Sequence, residues 1–295
     1  MTELEVARKV AVEAAEAAGA LMRWPGRADT GMRVKDSTGD VVTDLDLAAE
    51  KVIIDRIRAV FPEHRIIAEE AGLLDPAAAG GNPAGGAARG GTWLVDPLDG
   101  TNNLAVRLPA YVVGIALCLG DLPMLGVVHD PVAQQTWSAV RHGGAFGPGG
   151  RLPRPPCRPA PYGPVLAWTQ GHGVAREDAT ARALKLVLES TARRVLQLWA
   201  PLLSWVMLAR GDIDGIVGYR AEAVDLPAGA LIAAEAGIAV CGLDGQPFDE
   251  RIGLSVDDRS FVAGHPDNIG RLTRLVAKAE GIAPRLAGLD AATEW

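Results

Sequence analysis

The segment that most constrains this chain is a short apolar run ending in two closely spaced aspartates, Trp-Leu-Val-Asp96-Pro-Leu-Asp99-Gly-Thr. The apolar residues predict a buried strand, and the proline between the aspartates fixes the direction in which the chain leaves it. Gly100 permits a close backbone approach, and Thr101 and Asn102 can cap a following helix. Carboxylate oxygens suit hard cations, and N–H groups at a helix start suit an anion. The segment therefore predicts a site for a metal ion and a phosphate group.

Length and charge limit the classes of protein to which the chain can belong. Its 295 residues are enough for one large domain or two lobes with a substantial core. A net charge of −7 argues against binding of nucleic acid or of an anionic membrane, since no basic patch compensates for it. A phosphate substrate would need local cations in order to approach, and bound metal would supply them.

The cysteines predict neither zinc nor disulfides. Cys118, Cys157 and Cys241 are scattered, and the chain shows no C-x-x-C pair or Cys/His cluster. We therefore expect small buried or incidental thiols. The N-terminus lacks a signal-peptide pattern and no apolar run reaches ~18 residues, so a cytoplasmic protein without a membrane partner is expected.

Periodicity and composition predict alternating helices and strands. Helices are predicted at 3–22, 46–60, 176–192, 201–210, 226–236 and 266–280, and strands at 66–68, 93–95, 111–119, 124–129, 137–140, 165–169, 195–198, 238–241 and 261–264. A turn is predicted at 211–215. Paired strands in the first half and alternating strands and helices in the second favour layered sheets and helices.

Two stretches are typical of connecting segments. Residues 76–92 are mostly Ala, Gly and Pro, which is typical of a flexible connector or, alternatively, of a lid. The stretch 148–164 is rich in Pro and Arg and predicts a linker. We therefore expect an N-terminal lobe at 1–147 with most of the metal ligands, and a C-terminal lobe at 165–295.

Four elements in the chain resemble, in order, the signature of the inositol monophosphatase family of magnesium-dependent, lithium-sensitive phosphatases. Residues 40–46 match its D-x-V-T-x-x-D element, 66–70 its G-E-E strand end, 93–101 its central motif and 224–229 its W-D-x-A-A-G element. The resemblance extends over about 7–281. It implies a layered α-β-α-β-α sandwich of the inositol monophosphatase and fructose-1,6-bisphosphatase type, and a homodimer.

The resemblance also implies a set of ligands for two or three Mg²⁺ ions. Glu69, Asp96 and the backbone carbonyl of Leu98 would hold one ion, while Asp96, Asp99 and Asp225 would hold a second. A third, weaker ion near Glu69 is common in the family. Clustered carboxylates would repel one another without such cations.

Further roles follow from the same resemblance. Thr101 and Asp46 would orient or deprotonate the attacking water, with Glu69 as the third catalytic residue. The N–H groups of Gly100 and Thr101 would hold the phosphate, and Asp225 would also contact the substrate. Lys35 matches a family lysine near a mobile loop that carries the third metal.

The substrate-binding positions depart from the family pattern. The family tryptophan before the last metal aspartate is Val224, and the carboxylate that binds sugar hydroxyls is replaced by Gly218. Trp199 stands where a small turn is usual, and it predicts either a platform for a flat ring or core packing. Arg220 and Glu222 are candidate new polar contacts, with Glu222 the stronger candidate for binding substrate.

Together these features predict a phosphate monoester hydrolase in which water attacks phosphorus directly. The chain has no G-x-S-x-G motif and no adjacent Cys/His pair, so covalent catalysis has no support; His172 is either a substrate contact or a loop residue without a catalytic role. The expected substrates are a small sugar or cyclitol phosphate, a nucleotide such as a 3′(2′),5′-bisphosphate, or an intermediate of specialised metabolism. The alternative from another class is a non-catalytic regulatory protein that keeps the fold.

Overall fold

The computed structural model describes residues 2–23, 31, 33–34, 41–76, 90–158 and 160–287. The helices are α1 (Glu3–Met22), α2 (Asp44–Val60), α3 (Thr101–Ala105), α4 (Ala179–Thr191), α5 (Pro201–Arg210), α6 (Pro227–Glu235), α7 (Pro266–Val276) and α8 (Lys278–Leu286). The strands are β1 (Arg33–Val34), β2 (Val41–Val42), β3 (Arg65–Ala68), β4 (Gly72–Leu74), β5 (Thr92–Asp99), β6 (Val112–Leu119), β7 (Leu122–Asp130), β8 (Gln135–Val140), β9 (Gly144–Gly147), β10 (Gly150–Arg151), β11 (Val165–Gln170), β12 (Arg194–Leu196), β13 (Gly215–Tyr219), β14 (Ala239–Gly242) and β15 (Phe261–Gly264). Within these described ranges, a membrane-spanning helix is absent, since none is both long and apolar enough.

Helix α1 packs closely on the first sheet because its buried face is nearly all alanine. Thr2 and Glu5 begin the helix with a reciprocal capping box, in which the Glu5 carboxylate accepts from the Thr2 N–H at 2.7 Å. At Gly19 the approach leaves no room for a side chain, since a Cβ there would lie 2.4 Å from the His129 ring. The predicted helix at 3–22 is confirmed.

The first sheet has eight strands in the order β10-β9-β8-β7-β6-β5-β3-β4. Strands β3 and β5 are parallel, whereas the other neighbours pair antiparallel. Alternate residues of β5 face opposite sides, so Val95 packs with α1 and α2 while Leu94 packs with α5 and α6. The sheet is therefore covered by helices on both faces.

The second sheet has five strands in the order β12-β11-β13-β15-β14. In β13, Ile216 packs with α5 and α6, and Val217 packs with α4, α7 and α8. Helices α5 and α6 thus lie between the two sheets, and the layers follow the order helix, sheet, helix, sheet, helix. This confirms the α-β-α-β-α sandwich that the resemblance implied.

The sheets fall on either side of the Pro-rich stretch at 148–164. The first sheet ends at Arg151 and the second begins at Val165. Helices α5 and α6 nevertheless share one hydrophobic core with strands of both sheets. The division into an N-terminal lobe, a linker and a C-terminal lobe stays a prediction.

Several predicted elements differ from the structure for local reasons. The helix expected from 176 begins at Ala179, because the Asp178 carboxylate caps it by accepting from the Ala181 N–H at 2.8 Å. The helix expected at 266–280 is two helices that meet at Ala277. Strand β13 follows the predicted turn at 211–215 and was missed. Most of the Gly-rich stretch, 77–89, lies outside the described residues. Both alternatives for this stretch, a connector and a lid, therefore stay predictions.

The cysteines include both buried and exposed thiols. Cys118 and Cys241 are buried, and Cys157 is exposed. Cys157 belongs to a spatial group that is not visible in the sequence. The fold brings this thiol close to His265 and Asp267, which are distant in the sequence.

His64 is held as a neutral hydrogen-bond acceptor beside the first sheet. The Trp93 indole N–H donates to His64 Nδ1 at 3.0 Å, and the His64 ring stacks on Phe61 with the ring centres 4.8 Å apart. Burial lowers the pKa of His64, although the charges of Glu63 and Glu3 partly offset this. The folded protein therefore resists protonation of this ring.

We expect His64→Gln to reduce the loss of stability in weak acid. Below the ordinary histidine pKa of about 6.5 the unfolded chain binds a proton that the folded state does not, so the stability contributed by His64 is present above this pH and is lost as the pH falls. Denaturant unfolding between about pH 7 and about pH 5 should show a larger fall in the free energy of unfolding for the natural protein than for the variant. Equal falls in the two proteins would contradict this.

Candidate active site

Strand β5 delivers two aspartates to one cleft because its pairing shifts between them. Residues three apart on a regular strand face opposite sides. The pairing of β5 with β6 passes from Asp96 opposite Gly114 to Asp99 opposite Val112, so three steps on β5 match two on β6. Pro97, which has no N–H to donate, lies within this bulge. Asp96 and Asp99 are both buried and line the same cavity.

Asp225 reaches this cleft from the second half of the chain. It lies just before α6, whose small residues pack tightly against their neighbours: a Cβ at Gly229 would lie 2.6 Å from the Trp205 side chain. On the facing strand β7, a Cβ at Gly126 would lie 2.6 Å from the Ala228 carbonyl oxygen. This close packing fixes the start of α6 over the first sheet.

The carboxylates of the three aspartates lie close together. Asp96, Asp99 and Asp225 each offer a carboxylate oxygen, and these oxygens lie within 4.8 Å of one another. Burial raises the pKa of Asp96 well above its ordinary value, and the charges of Glu69 and the two other aspartates add to this. Burial and the charge of Glu69 raise the pKa of Asp225 to about 7. Clustered, buried carboxylate oxygens of this kind fit a hard divalent cation.

Glu69 lies at the same sheet edge as the aspartates. It directly follows β3, which runs parallel to β5, and its N–H donates to the Val95 carbonyl at 3.1 Å. Parallel strands end at the same edge of a sheet, so Glu69 lies beside the end of β5 and lines the same cavity. Its charge raises the pKa of both Asp96 and Asp99.

Asp46 and Thr101 form a buried hydrogen-bonded pair. The Thr101 hydroxyl lies 2.8 Å from Asp46 Oδ1 and 3.0 Å from the Leu98 carbonyl oxygen, and its single proton can be donated to only one of them at a time. The other oxygen of Asp46 accepts from the Thr43 N–H at 2.8 Å and from the Thr43 hydroxyl. Burial raises the pKa of Asp46, whereas these hydrogen bonds lower it.

The turn after β5 depends on Gly100. This residue has a φ of +105° and is the N-cap of α3, and a Cβ on it would lie 2.9 Å from the Ala110 carbonyl oxygen. The expectation that Thr101 or Asn102 caps this helix is wrong, because Gly100 holds the capping position and no side chain caps it. Gly100, Thr101 and Leu98 all line the cavity.

The cavity has a volume of about 940 Å³ and an exposed tryptophan on its wall. Trp199 lines it with 55% of its surface exposed, so the alternative of core packing is wrong. Its φ of +52° is in the left-handed region that side chains rarely adopt. Trp168 and His172 also line this cavity.

Glu222 supports the wall of the cavity and is not one of the residues that line it. Its Oε1 accepts from the backbone N–H of His172 at 2.9 Å, which holds the loop that carries His172. Gly218 lies in the second sheet, where a Cβ would lie 2.2 Å from the Phe261 ring. No side chain fits at Gly218 without moving Phe261.

Two positioning groups were missing from the sequence analysis. The Leu202 N–H at the start of α5 donates to Asp99 Oδ2 at 2.7 Å. The buried Asn103 side chain donates to the Ala110 carbonyl at 2.6 Å and to the Leu198 carbonyl, which joins α3 to the loop of Trp199. The second asparagine after the Gly-Thr turn, Asn103, was a signal for the second group, but a backbone N–H leaves no signal in a sequence. Lys35 lies outside the described residues.

Comparison with known proteins agrees with this geometry. A model of the inositol monophosphatase family matches residues 3–280. Nus factor SuhB of Pasteurella multocida is 32% identical over 80% of this chain and 85% of its own length, and inositol monophosphatase 1 of Solanum lycopersicum is 30% identical over 81% and 85%. The solved structure of a Thermotoga maritima IMPase superposes with a TM-score of 0.75 at 26% identity, covering 96% of this chain and all of that one. The chain belongs to the inositol monophosphatase family, a family of metal-dependent phosphatases.

Proposed function

We propose that this protein hydrolyses a small phosphate monoester with Mg²⁺ as its cofactor, by direct attack of water on phosphorus. The observation that carries the proposal is that Asp96, Asp99 and Asp225, which line a cavity of about 940 Å³, each offer a carboxylate oxygen within 4.8 Å of the other two. Buried carboxylates so close together repel unless a cation lies between them. Family membership supports the same class of reaction.

The ligands are assigned to the ions as the family resemblance implies. Glu69, Asp96 and the Leu98 carbonyl would hold one ion, and Asp96, Asp99 and Asp225 a second, with a third near Glu69. The chemistry that bound Mg²⁺ supplies is a lowered pKa of water and neutralisation of charge on the leaving oxygen. Lys35 stays a predicted contact near the third ion.

Thr101 and Asp46 are proposed to take the proton from the attacking water. Because the Thr101 hydroxyl donates to Asp46 Oδ1 at 2.8 Å, its oxygen lone pairs remain to accept a hydrogen bond from water. A proton taken up at this oxygen can pass along the existing hydrogen bond to the carboxylate. Glu69 faces the same cavity and would orient the water from the other side.

The phosphate group is proposed to lie at the turn after β5. The N–H groups of Gly100 and Thr101 would donate to its oxygens, and Asp225 would contact the substrate near the ester oxygen. Backbone donors at this position are already fixed by the left-handed Gly100, so binding requires little rearrangement. The phosphate would then lie between these donors and the carboxylates.

A small sugar or cyclitol phosphate is the first candidate substrate. A nucleotide such as a 3′(2′),5′-bisphosphate is the second, and the exposed indole of Trp199 on the cavity wall favours it. An intermediate of specialised metabolism is a third. Glu222 accepts a hydrogen bond from the backbone N–H of His172, so we propose that it supports substrate binding by holding the loop that carries His172.

A non-catalytic regulatory protein is the alternative from another class. The name Nus factor, carried by the relative from Pasteurella multocida, gives this alternative its support. The complete set of buried carboxylates favours the enzyme, because unused buried charge is costly to keep. The homodimer and the cytoplasmic location stay predictions.

We expect Mg²⁺-dependent phosphate release that is lost in Asp96→Asn. The substitution keeps the shape of the side chain and removes the charge that both ions would share, so turnover should fall by more than about 100-fold. The measurement is phosphate release across a panel of inositol, sugar and nucleotide phosphates, with and without Mg²⁺. Asp121→Asn, at an exposed aspartate, is the matched control and should behave as the natural protein. If the natural protein released no phosphate from any compound of the panel, the regulatory alternative would be favoured.

We expect Thr101→Val to lower kcat by about 10²- to 10⁴-fold, the usual contribution of a positioned proton acceptor. Valine has the shape of threonine but cannot pass a proton to Asp46. Thr101→Ser keeps the hydroxyl and should retain most of the activity. Steady-state kinetics on the best substrate of the panel give the comparison, and equal losses in the two variants would contradict the proposed proton path.

We expect Trp199→Ala to discriminate between the substrate classes. Stacking of a base on an aromatic side chain contributes about 1–3 kcal/mol, so the KM of a nucleotide substrate should rise about tenfold. The KM of a sugar phosphate should change little, and Trp199→Phe should keep most of the nucleotide binding. A nucleotide KM unchanged in Trp199→Ala would show that the indole does not stack on the substrate.

A further inference from the structure

We propose that Cys157, His265 and Asp267 form a second metal site, which takes a transition-metal ion of the zinc type. One ligand atom from each of the three side chains lies within 4.8 Å of the other two. None of the three lines the cavity that holds the aspartates. The site is therefore separate from the proposed Mg²⁺ site in both residues and chemistry.

The three ligands come from two parts of the fold, the segment after β10 and the start of α7. Cys157 lies in the segment after β10, and this segment is anchored by Arg154, whose guanidinium donates to the Gly237 carbonyl at 3.3 Å. Pro155 packs against Gly211, where a Cβ would lie 3.0 Å from the proline ring. These contacts place the chain two and three residues before Cys157 beside the turns that contain Gly211 and Gly237.

His265 is placed by the start of α7. It is the N-cap of this helix, and its Nδ1 accepts from the Asp267 N–H at 3.2 Å. The Asp267 carboxylate lies 3.6 Å from the same nitrogen. This hydrogen bond is at the long end of the normal range.

A small cleft lies between these residues. Cys157 and His265 both line it, and its volume of about 20 Å³ is roughly that of one water molecule or ion. Asp267 lines the adjoining cleft together with Cys157. The smaller cleft therefore has room for one ion beside Cys157 and His265.

The ligand types select the metal. Thiolate and imidazole favour zinc and related ions, whereas Mg²⁺ prefers oxygen ligands alone. Three protein ligands with a fourth position open to water is a common arrangement for zinc. Tetrahedral coordination would bring the ligand atoms to about 3.5 Å from one another. A closure of about 1 Å is feasible because Cys157 and Asp267 are exposed and Cys157 lies outside any helix or strand.

Titration with Co²⁺ tests the proposal, because only thiolate coordination gives an intense charge-transfer absorption in the near ultraviolet. The full-length, metal-free protein is titrated in saturating Mg²⁺, which occupies the carboxylate site. We expect one equivalent of Co²⁺ to produce this absorption and Zn²⁺ to abolish it by displacement. Cys157→Ser and His265→Asn should each lose it, and asparagine keeps the helix cap.

Cys241→Ser is the matched control, since Cys241 is buried and lies outside the cluster. It should keep the absorption, and the thermal unfolding of all variants should show that they are folded. Mg²⁺-dependent phosphate release should be unchanged in Cys157→Ser, so the two sites can fail independently. Absence of the absorption in the natural protein, or its survival in Cys157→Ser, would overturn the proposal.

Discussion

The repulsion among Asp96, Asp99 and Asp225 is the constraint on which the rest of the structure depends. Burial and mutual charge raise the pKa of each of these groups, and a shift of one pKa unit corresponds to about 1.4 kcal/mol. Packing elsewhere must offset this cost whenever no cation is bound. The tight contacts of α6 with β7 and α5 are part of that packing, and they place the start of α6, just after Asp225, over the first sheet. Helices α5 and α6, which lie between the sheets, thus both fill the core and position the aspartates.

Two irregular backbone conformations lie beside this cluster, the bulge in β5 and the left-handed Trp199. A hydrogen bond supports each of them: the Leu202 N–H donates to the Asp99 carboxylate, and the Asn103 side chain donates to the carbonyl of Leu198, next to Trp199. Irregular backbone of this kind is common at binding sites, because it can direct into a cavity side chains that would point elsewhere on a regular strand or helix.

The sequence was informative where local chemistry decides the structure. The alanine stripe of α1 and the apolar run before Asp96 were enough to predict a helix and a strand, and the order of motifs was enough for the family. Strand β13 was missed because five residues with two glycines give little periodic signal. The support of His172 by Glu222 and the grouping of Cys157 with His265 were not predictable, since both arise from tertiary packing between distant segments.

The wall of the cavity decides which phosphate ester the site can accept. In the family pattern a carboxylate stands where this chain has Gly218, and Phe261 fills the space that its side chain would need. Glu222 is directed to the backbone of His172, so it does not replace that carboxylate in the conformation described. A site that lacks acceptors for sugar hydroxyls discriminates weakly among polyols. Selectivity must then come from other groups that line the cavity, among them the exposed indole of Trp199 and the side chains of Gln170 and Gln197, and from the proposed phosphate donors Gly100 and Thr101.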